Sequence, residues 1–291
     1  MNEIYQPKNY FPALILLGLG AIPLLATVVE DRFLVAFIAR VLIYALAASA
    51  LNIALGMGGL VSFGHALFFG IGAYCVSLPV YYGITSGWIH LALTIVICSL
   101  IGGITGLVSL RTKGISFIMI TLAFAQMGYF IIISLKQYGG DDGMSIATTS
   151  DFGLWRLDKA DSVYLTTWFM LIVVTCWVWF LRNSPFGMIL RASKQNSRRI
   201  SSIGVPIKRY QLTAYVISSV LCGISGILMA NLNTYASPSA MSWIFSGDLI
   251  VMVVLGGMGS VFGPFLGAFA FLGLEEFLKP LTDHWMMPFG L

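Results

Sequence analysis

Long apolar runs, broken by glycine, proline or a few charges, fill most of this chain. They cover residues 11–29, 33–55, 66–82, 88–110, 115–135, 163–181, 211–232, 249–255 with a Gly-rich continuation, and 262–278. A helix that crosses the hydrocarbon core of a bilayer needs about 20 mostly apolar residues. Strands of a membrane barrel would alternate over about ten residues, and these runs are continuously apolar. The first run is too long for a signal-peptide core and lacks a small-residue cleavage site, so it reads as a membrane helix. The pattern predicts an all-α polytopic bundle of about 8–10 spans, with residues 1–291 forming one membrane domain.

Composition agrees. The 291 residues are 58% hydrophobic and 10% charged, against about 45–50% and about 25% in soluble domains. That excludes a soluble enzyme, whose surface so little charge could not cover, and it excludes disorder. Cys75, Cys98, Cys176 and Cys222 all sit inside apolar runs without metal or redox spacing, so they read as packing residues. No basic arm with interleaved aromatics points to nucleic acid.

The net charge of +4 matters less than where the charges lie. Seven of the 16 Lys and Arg residues fall in 182–210, which contains no acid. The positive-inside rule places that loop in the cytoplasm. Arg111 and Lys113 form a second basic turn. Counting spans puts residues 136–162 outside, with five aspartates against three basic residues, and the N-terminus inside.

Two glycine-rich breaks interrupt the apolar pattern, GMGGLVSFGH at 56–65 and GGMGSVFGP at 256–264. At an offset of 200 residues, Gly56 matches Gly256, Gly59 matches Gly259 and Val61 matches Val261. Backbone released from a helix in lipid must be buried in protein or line a cavity. Paired interruptions point to a transport pathway; glycines that merely let helices pack closely are the plainer reading.

The basic loop carries its own signals. Ser184 suits a helix N-cap with Pro185 at the first position. Gly204 suits the left-handed position past the end, and Pro206 follows. Phe186, Ile189, Leu190, Ile200 and Ile203 fall on one face of that helix, with Arg191, Lys194 and Arg198 on the other. Such an amphipathic helix either lies on anionic lipid or docks into a partner's groove.

Residues 55–74, LGMGGLVSFGHALFFGIGAY, resemble the "GY-GLLS-GHAAFFGIGAY" region of the LivM-type permeases of branched-chain amino acid ABC importers. Three further segments match the family in order: GGDDGMS at 139–145, SPFGMILRASKQNSRRISSIGVPIKRY at 184–210, and VLGGMGSVFGPFLG at 254–267. The resemblance covers nearly the whole chain. It implies the type II ABC importer permease architecture, a homologous second permease, two ATPase subunits that hold ATP and Mg, and a periplasmic solute-binding protein. It makes 184–204 the coupling helix, with Ser184, Pro185, Phe186, Arg191, Lys194, Asn196, Arg198, Arg199 and Gly204 as its ATPase-facing set. The separate motor agrees with the lack of any Gly-Lys pair, and so of a phosphate loop, in this chain. The chain itself is expected to hold no cofactor and no metal and to be non-catalytic. Two departures stand out. Gln195 and Ser197 occupy the stretch where the family usually carries acids, and the chain ends at Trp285–Leu291 where the family usually continues into a last helix.

Asn52, Gly56, Gly59, Ser62, His65, Gly256, Gly257 and Gly259 are the candidate translocation or gating residues. Asn52 and Ser62 could instead hydrogen-bond between helices, and His65 fits a structural hydrogen-bonder better than a ligand. Arg40 lies inside an apolar run and must snorkel, pair or face a cavity. Asp248 is read as the start of a short helix, and Glu275 and Glu276 as reaching the outer interface. Asp141 and Asp142 are either binding-protein contacts or turn residues between glycines. The expected function is ATP-driven import of branched-chain or related small amino acids across the inner membrane. Urea, short amides and small carboxylates are alternatives in the same class. A self-sufficient secondary transporter or channel is the rival from another class, and it would need an intramembrane acid or ion site.

Overall fold

The computed structural model describes Gly18, residues 32–153 and residues 155–279. The apolar run at 11–29, apart from Gly18, and the C-terminal stretch at 285–291 lie outside the described residues. The described residues are mainly helical. In order come α1 (Arg32–Asn52), continued by a π-helical turn (Ile53–Met57), α2 (His65–Tyr81), α3 (Gly87–Ser109), α4 (Ile115–Ser134), α5 (Ala160–Asn183), α6 (Pro185–Gln195), α7 (Ser197–Ser202), α8 (Ile207–Asn233), α9 (Trp243–Gly256) and α10 (Gly263–Leu278). Among the described residues, five segments are long and apolar enough to cross a membrane: Phe33–Met57, Gly87–Ser109, Ile115–Ser134, Ala160–Asn183 and Ile207–Asn233.

α1 and α8 form the centre. Leu42, Ile43, Leu46 and Leu51 on α1 are fully buried, and α1 packs against α5, α8 and α10. α8 also packs on α2 and α3. Small residues let these backbones approach: a Cβ on Gly72 would stand within 2.7 Å of the Gly223 carbonyl carbon. α3 keeps an unpacked apolar stripe through Val96, Leu100, Ile104 and Leu107. In water such a stripe would be costly, whereas in lipid it is solvated by acyl chains.

Four expectations are corrected. The segment predicted at 249–255 is the second half of α9, which begins at Trp243 because Ser242 Oγ accepts the Phe245 N–H. Asp248 therefore lies in the second turn, not at the N-terminus. The helix predicted at 184–204 is two helices, because Asn196 leaves helical geometry (φ −150°, ψ 92°) and its Oδ1 caps α7 through the Arg199 N–H. Ile203, expected on the apolar face, is exposed. The loop predicted at 136–162 ends before Ala160, so Ser162 belongs to α5.

The loop between α4 and α5 is fastened to the bundle. Met144–Ser145 (β1) pairs antiparallel with Tyr235–Ala236 (β2), Met144 opposite Ala236. The Ser150 N–H donates to Asn231 Oδ1 at 2.8 Å, and His90 Nδ1 lies 2.8 Å from Ser150 Oγ. Asp141 and Asp142 sit exposed in a turn, where the Tyr235 hydroxyl donates to the Asp142 carbonyl.

Candidate translocation and coupling site

The first break is a descent back into the protein. The π-helical turn ends with Gly58 N–H on the Ile53 carbonyl and Leu60 N–H on the Ala54 carbonyl. Residues 60–64 then run without helical bonds, and α2 begins at His65. Leu60, Ser62, Gly64 and His65 are buried, so each freed backbone group needs a protein partner. Neighbouring helices supply them. Thr121 Oγ1 on α4 accepts the Phe63 N–H at 3.2 Å. Ser246 Oγ on α9 donates to the Phe63 carbonyl at 2.8 Å and accepts the Ala66 N–H at 2.9 Å, bridging the break. Ser62 Oγ accepts the Gly64 N–H and lies 3.5 Å from the Tyr215 hydroxyl.

His65 is fully buried, with Nε2 2.7 Å from Ser218 Oγ. Ser218 spends its own proton on the Ala50 carbonyl at 2.6 Å, so Nε2 carries the proton donated to it. Thus α8, α1 and the start of α2 are tied together at one point, which favours the structural role of His65.

The second break closes a hairpin between α9 and α10. It abuts the first through Asn52. Asn52 Nδ2 donates to the Ser260 carbonyl at 2.8 Å, and its Oδ1 accepts the Gly259 N–H at 2.8 Å. The side chain of Asn52 is buried and clamps the two breaks together. A Cβ on Gly56 would stand 2.6 Å from the Gly259 nitrogen, so only glycine admits this approach. Gly257 and Gly259 take positive φ (100° and 80°), as the tight turn demands.

The basic loop reaches this junction. Lys194 Nζ on α6 donates to the Gly56 carbonyl at 3.0 Å, with its methylenes over Gly59. Ser184 Oγ accepts the Gly187 N–H, with Pro185 opening α6, and Gly204 takes φ 84°, as the caps predicted. Phe186 stacks obliquely on Tyr210 at 5.5 Å. Arg191 does not face solvent as expected: its Nη2 donates to the Arg182 carbonyl at 3.0 Å, where a cation suits the C-terminus of α5. Arg198 and Arg199 remain exposed. Lys194 and Arg198, with Lys113, Lys208 and Arg209, line a cavity of about 640 Å³ floored by Gly58 and Gly59.

The structure thus brings Asn52, Gly56, Gly59, Gly259 and Lys194 together. Ser62 and His65 stand one layer deeper. The sequence reading missed Thr121, Ser218 and Ser246. The signal was available for Thr121 and Ser218, hydroxyls inside apolar runs where an unpaired polar group is costly, whereas Ser246 lies ahead of the run at 249–255.

Residues 33–286 match the family model described as the branched-chain amino acid transport system permease component. The chain is 26% identical over 273 residues to the high-affinity branched-chain amino acid transport system permease protein LivM of Escherichia coli K12, covering 86% of this chain and 64% of that protein. It thus spans just under two thirds of that relative's length. It is 25% identical to LivH of the same strain, with 81% of each chain covered. It is 26% identical to a probable LivM of Methanocaldococcus jannaschii, covering 81% and 78%. No solved structure matches. With its apolar helices and a family match across most of its length, this chain is a multi-pass membrane protein and belongs to the permease component family of branched-chain amino acid transport systems.

Proposed function

We propose that this chain is a translocating subunit of a binding-protein-dependent ABC importer, carrying branched-chain or related small amino acids inward across the inner membrane. ATP and Mg are bound by two separate ATPase subunits, and a homologous second permease completes the pathway. A periplasmic binding protein delivers the cargo to the face that carries the exposed Asp141–Asp142 turn. The basic end of the bundle is cytoplasmic, as the charge distribution requires.

The observation that carries this reading is the chain of contacts from Lys194 to Gly56, and from Gly56 through Asn52 to Gly259 and Ser260. Motion of α6, driven by ATPases closing below it, is delivered straight to the two places where the spanning helices are broken. α6, α7 and the turn that follows them expose Met188, Arg198, Arg199 and Ile203, an apolar and basic surface that fits an acidic-rimmed ATPase groove. The poor supply of buried carboxylates weakens the secondary-transporter reading: Asp248 is only half-buried, and Glu275 is paired with Lys279. The family match and the names of the relatives, all transport-system permeases, favour the importer.

Purification from the native membrane in mild detergent tests this. Two ATPases and a second permease in stoichiometric amounts, with ATP-dependent leucine uptake after reconstitution, are the expected result. A chain that purifies alone and moves solute without ATP overturns the reading.

A further inference from the structure

A second cavity lies at the other end of the bundle, beneath the turn that follows β2. Its volume is about 390 Å³, and it is lined by Arg40 of α1, Asp248 of α9, apolar side chains of α1, α2, α8 and α9, and the hydroxyls of Ser237, Ser239 and Ser242. Among the described residues Arg40 makes no ion pair, and its buried Nε has no hydrogen-bond partner. Its guanidinium lies over the Tyr44 ring at 5.7 Å, a cation–π contact that leaves it without an acidic partner. Glu275, whose charge acts on Asp248, is itself paired with Lys279 at 2.7 Å.

One cation and one carboxylate thus line the same partly apolar space with no ion pair between them. Unpaired charges there are costly, and a ligand that brings both complements relieves both. We propose that this cavity is a transit site for a free amino acid in its zwitterionic form. Arg40 receives the α-carboxylate, whose planar geometry suits a guanidinium. Asp248 receives the α-ammonium, and the aliphatic side chain packs on Phe69, Met229 and Phe245. The site rests on the importer reading and narrows its cargo. Urea and simple amides satisfy neither charge, a simple carboxylate leaves Asp248 repelled, and an amine leaves Arg40 repelled.

The test uses the complex as purified from its membrane, without the binding protein, and measures displacement of radiolabelled leucine. Leucinamide lacks the carboxylate, and 4-methylpentanoate lacks the ammonium. Each is expected to compete at least about tenfold more weakly than leucine, the effect of one lost charge-assisted contact. Arg40→Gln is expected to shrink the discrimination against leucinamide, and Asp248→Asn that against 4-methylpentanoate. This crossed pattern is one that a merely structural role would not produce. If either variant fails to assemble, the wild-type competition decides: analogues that compete as well as leucine overturn the site while leaving the importer reading intact. A complex that moves another solute but no amino acid overturns the amino-acid cargo of the importer reading, and one that moves solute without ATP overturns the importer reading itself.

Discussion

At the first break the chain turns back into the bundle and runs extended among three other helices, whereas at the second it closes a hairpin near the surface. Residues 60–65 are mostly buried, and 257–262 are partly or fully exposed. Both stretches are rich in glycine, so glycine does not make the difference. The neighbours do. Thr121, Ser246 and Ser218 place hydroxyls where the first break leaves backbone or ring nitrogens to satisfy, while Ser260 serves its own turn by donating to the Gly257 carbonyl. A broken helix can sit deep in a membrane protein only where side chains of adjoining helices take over the ladder.

Substitution separates the two breaks by size of effect. Gly56→Val is expected to be the most damaging, because its Cβ meets Asn52 and the Gly259 nitrogen at once. Overpacking of this kind costs about 1–3 kcal/mol on top of the two Asn52 hydrogen bonds that it displaces, and folded yield of the complex by gel filtration should fall sharply. A normal yield with full transport would mean that the breaks are not in contact. Asn52→Leu comes next. It strands the Gly259 N–H and the Ser260 carbonyl, at about 2–4 kcal/mol together, read as a lowered apparent Tm in detergent.

Ser246→Ala and Ser260→Ala sharpen the contrast further. The first strands two backbone groups and should cost about 1–2 kcal/mol. The second should stay within about 0.5 kcal/mol. Equal effects would erase the distinction drawn between the breaks. The smallest effect belongs to the loop between α4 and α5. The Gly153 N–H and Arg156 hold the Asp151 carboxyl below its usual range. Its stabilisation is therefore present at neutral pH and lost as pH falls through that lowered value. Asp151→Asn should differ slightly from wild type in thermal stability at pH 7 and match it in strong acid; a gap that widens in acid would reverse the assignment.

Most of the fold is legible in the sequence because spanning helices announce themselves by continuous apolarity. The ends of the basic loop are legible too, since Ser184, Pro185 and Gly204 are local signals that the structure uses as read. Its middle is not: hydrophobic periodicity continues across Asn196, and only the Asn196 cap itself divides α6 from α7. Asp248 was misread because a carboxylate amid apolar residues suggests a helix end, while the true start is set by Ser242, six residues earlier. The meeting of the two breaks rests on contacts 207 and 208 residues apart in sequence, and the β1–β2 ladder pairs Met144 with Ala236 and Ser145 with Tyr235, also far apart in sequence. Spacing along the chain carries no trace of either. The matching glycines hinted at a relation between the breaks, but the residue that joins them, Asn52, lies outside both motifs.

The central claim is that α6 is coupled to the broken helices through Lys194. The most direct test is the number of leucine molecules moved per ATP hydrolysed by the reconstituted complex, compared for wild type, Lys194→Met and Lys194→Arg. Methionine keeps the apolar stem and removes the donor to Gly56. The account predicts near-normal ATP hydrolysis with several-fold less leucine per ATP for the methionine variant, and partial recovery for arginine. An unchanged ratio in the methionine variant would contradict it.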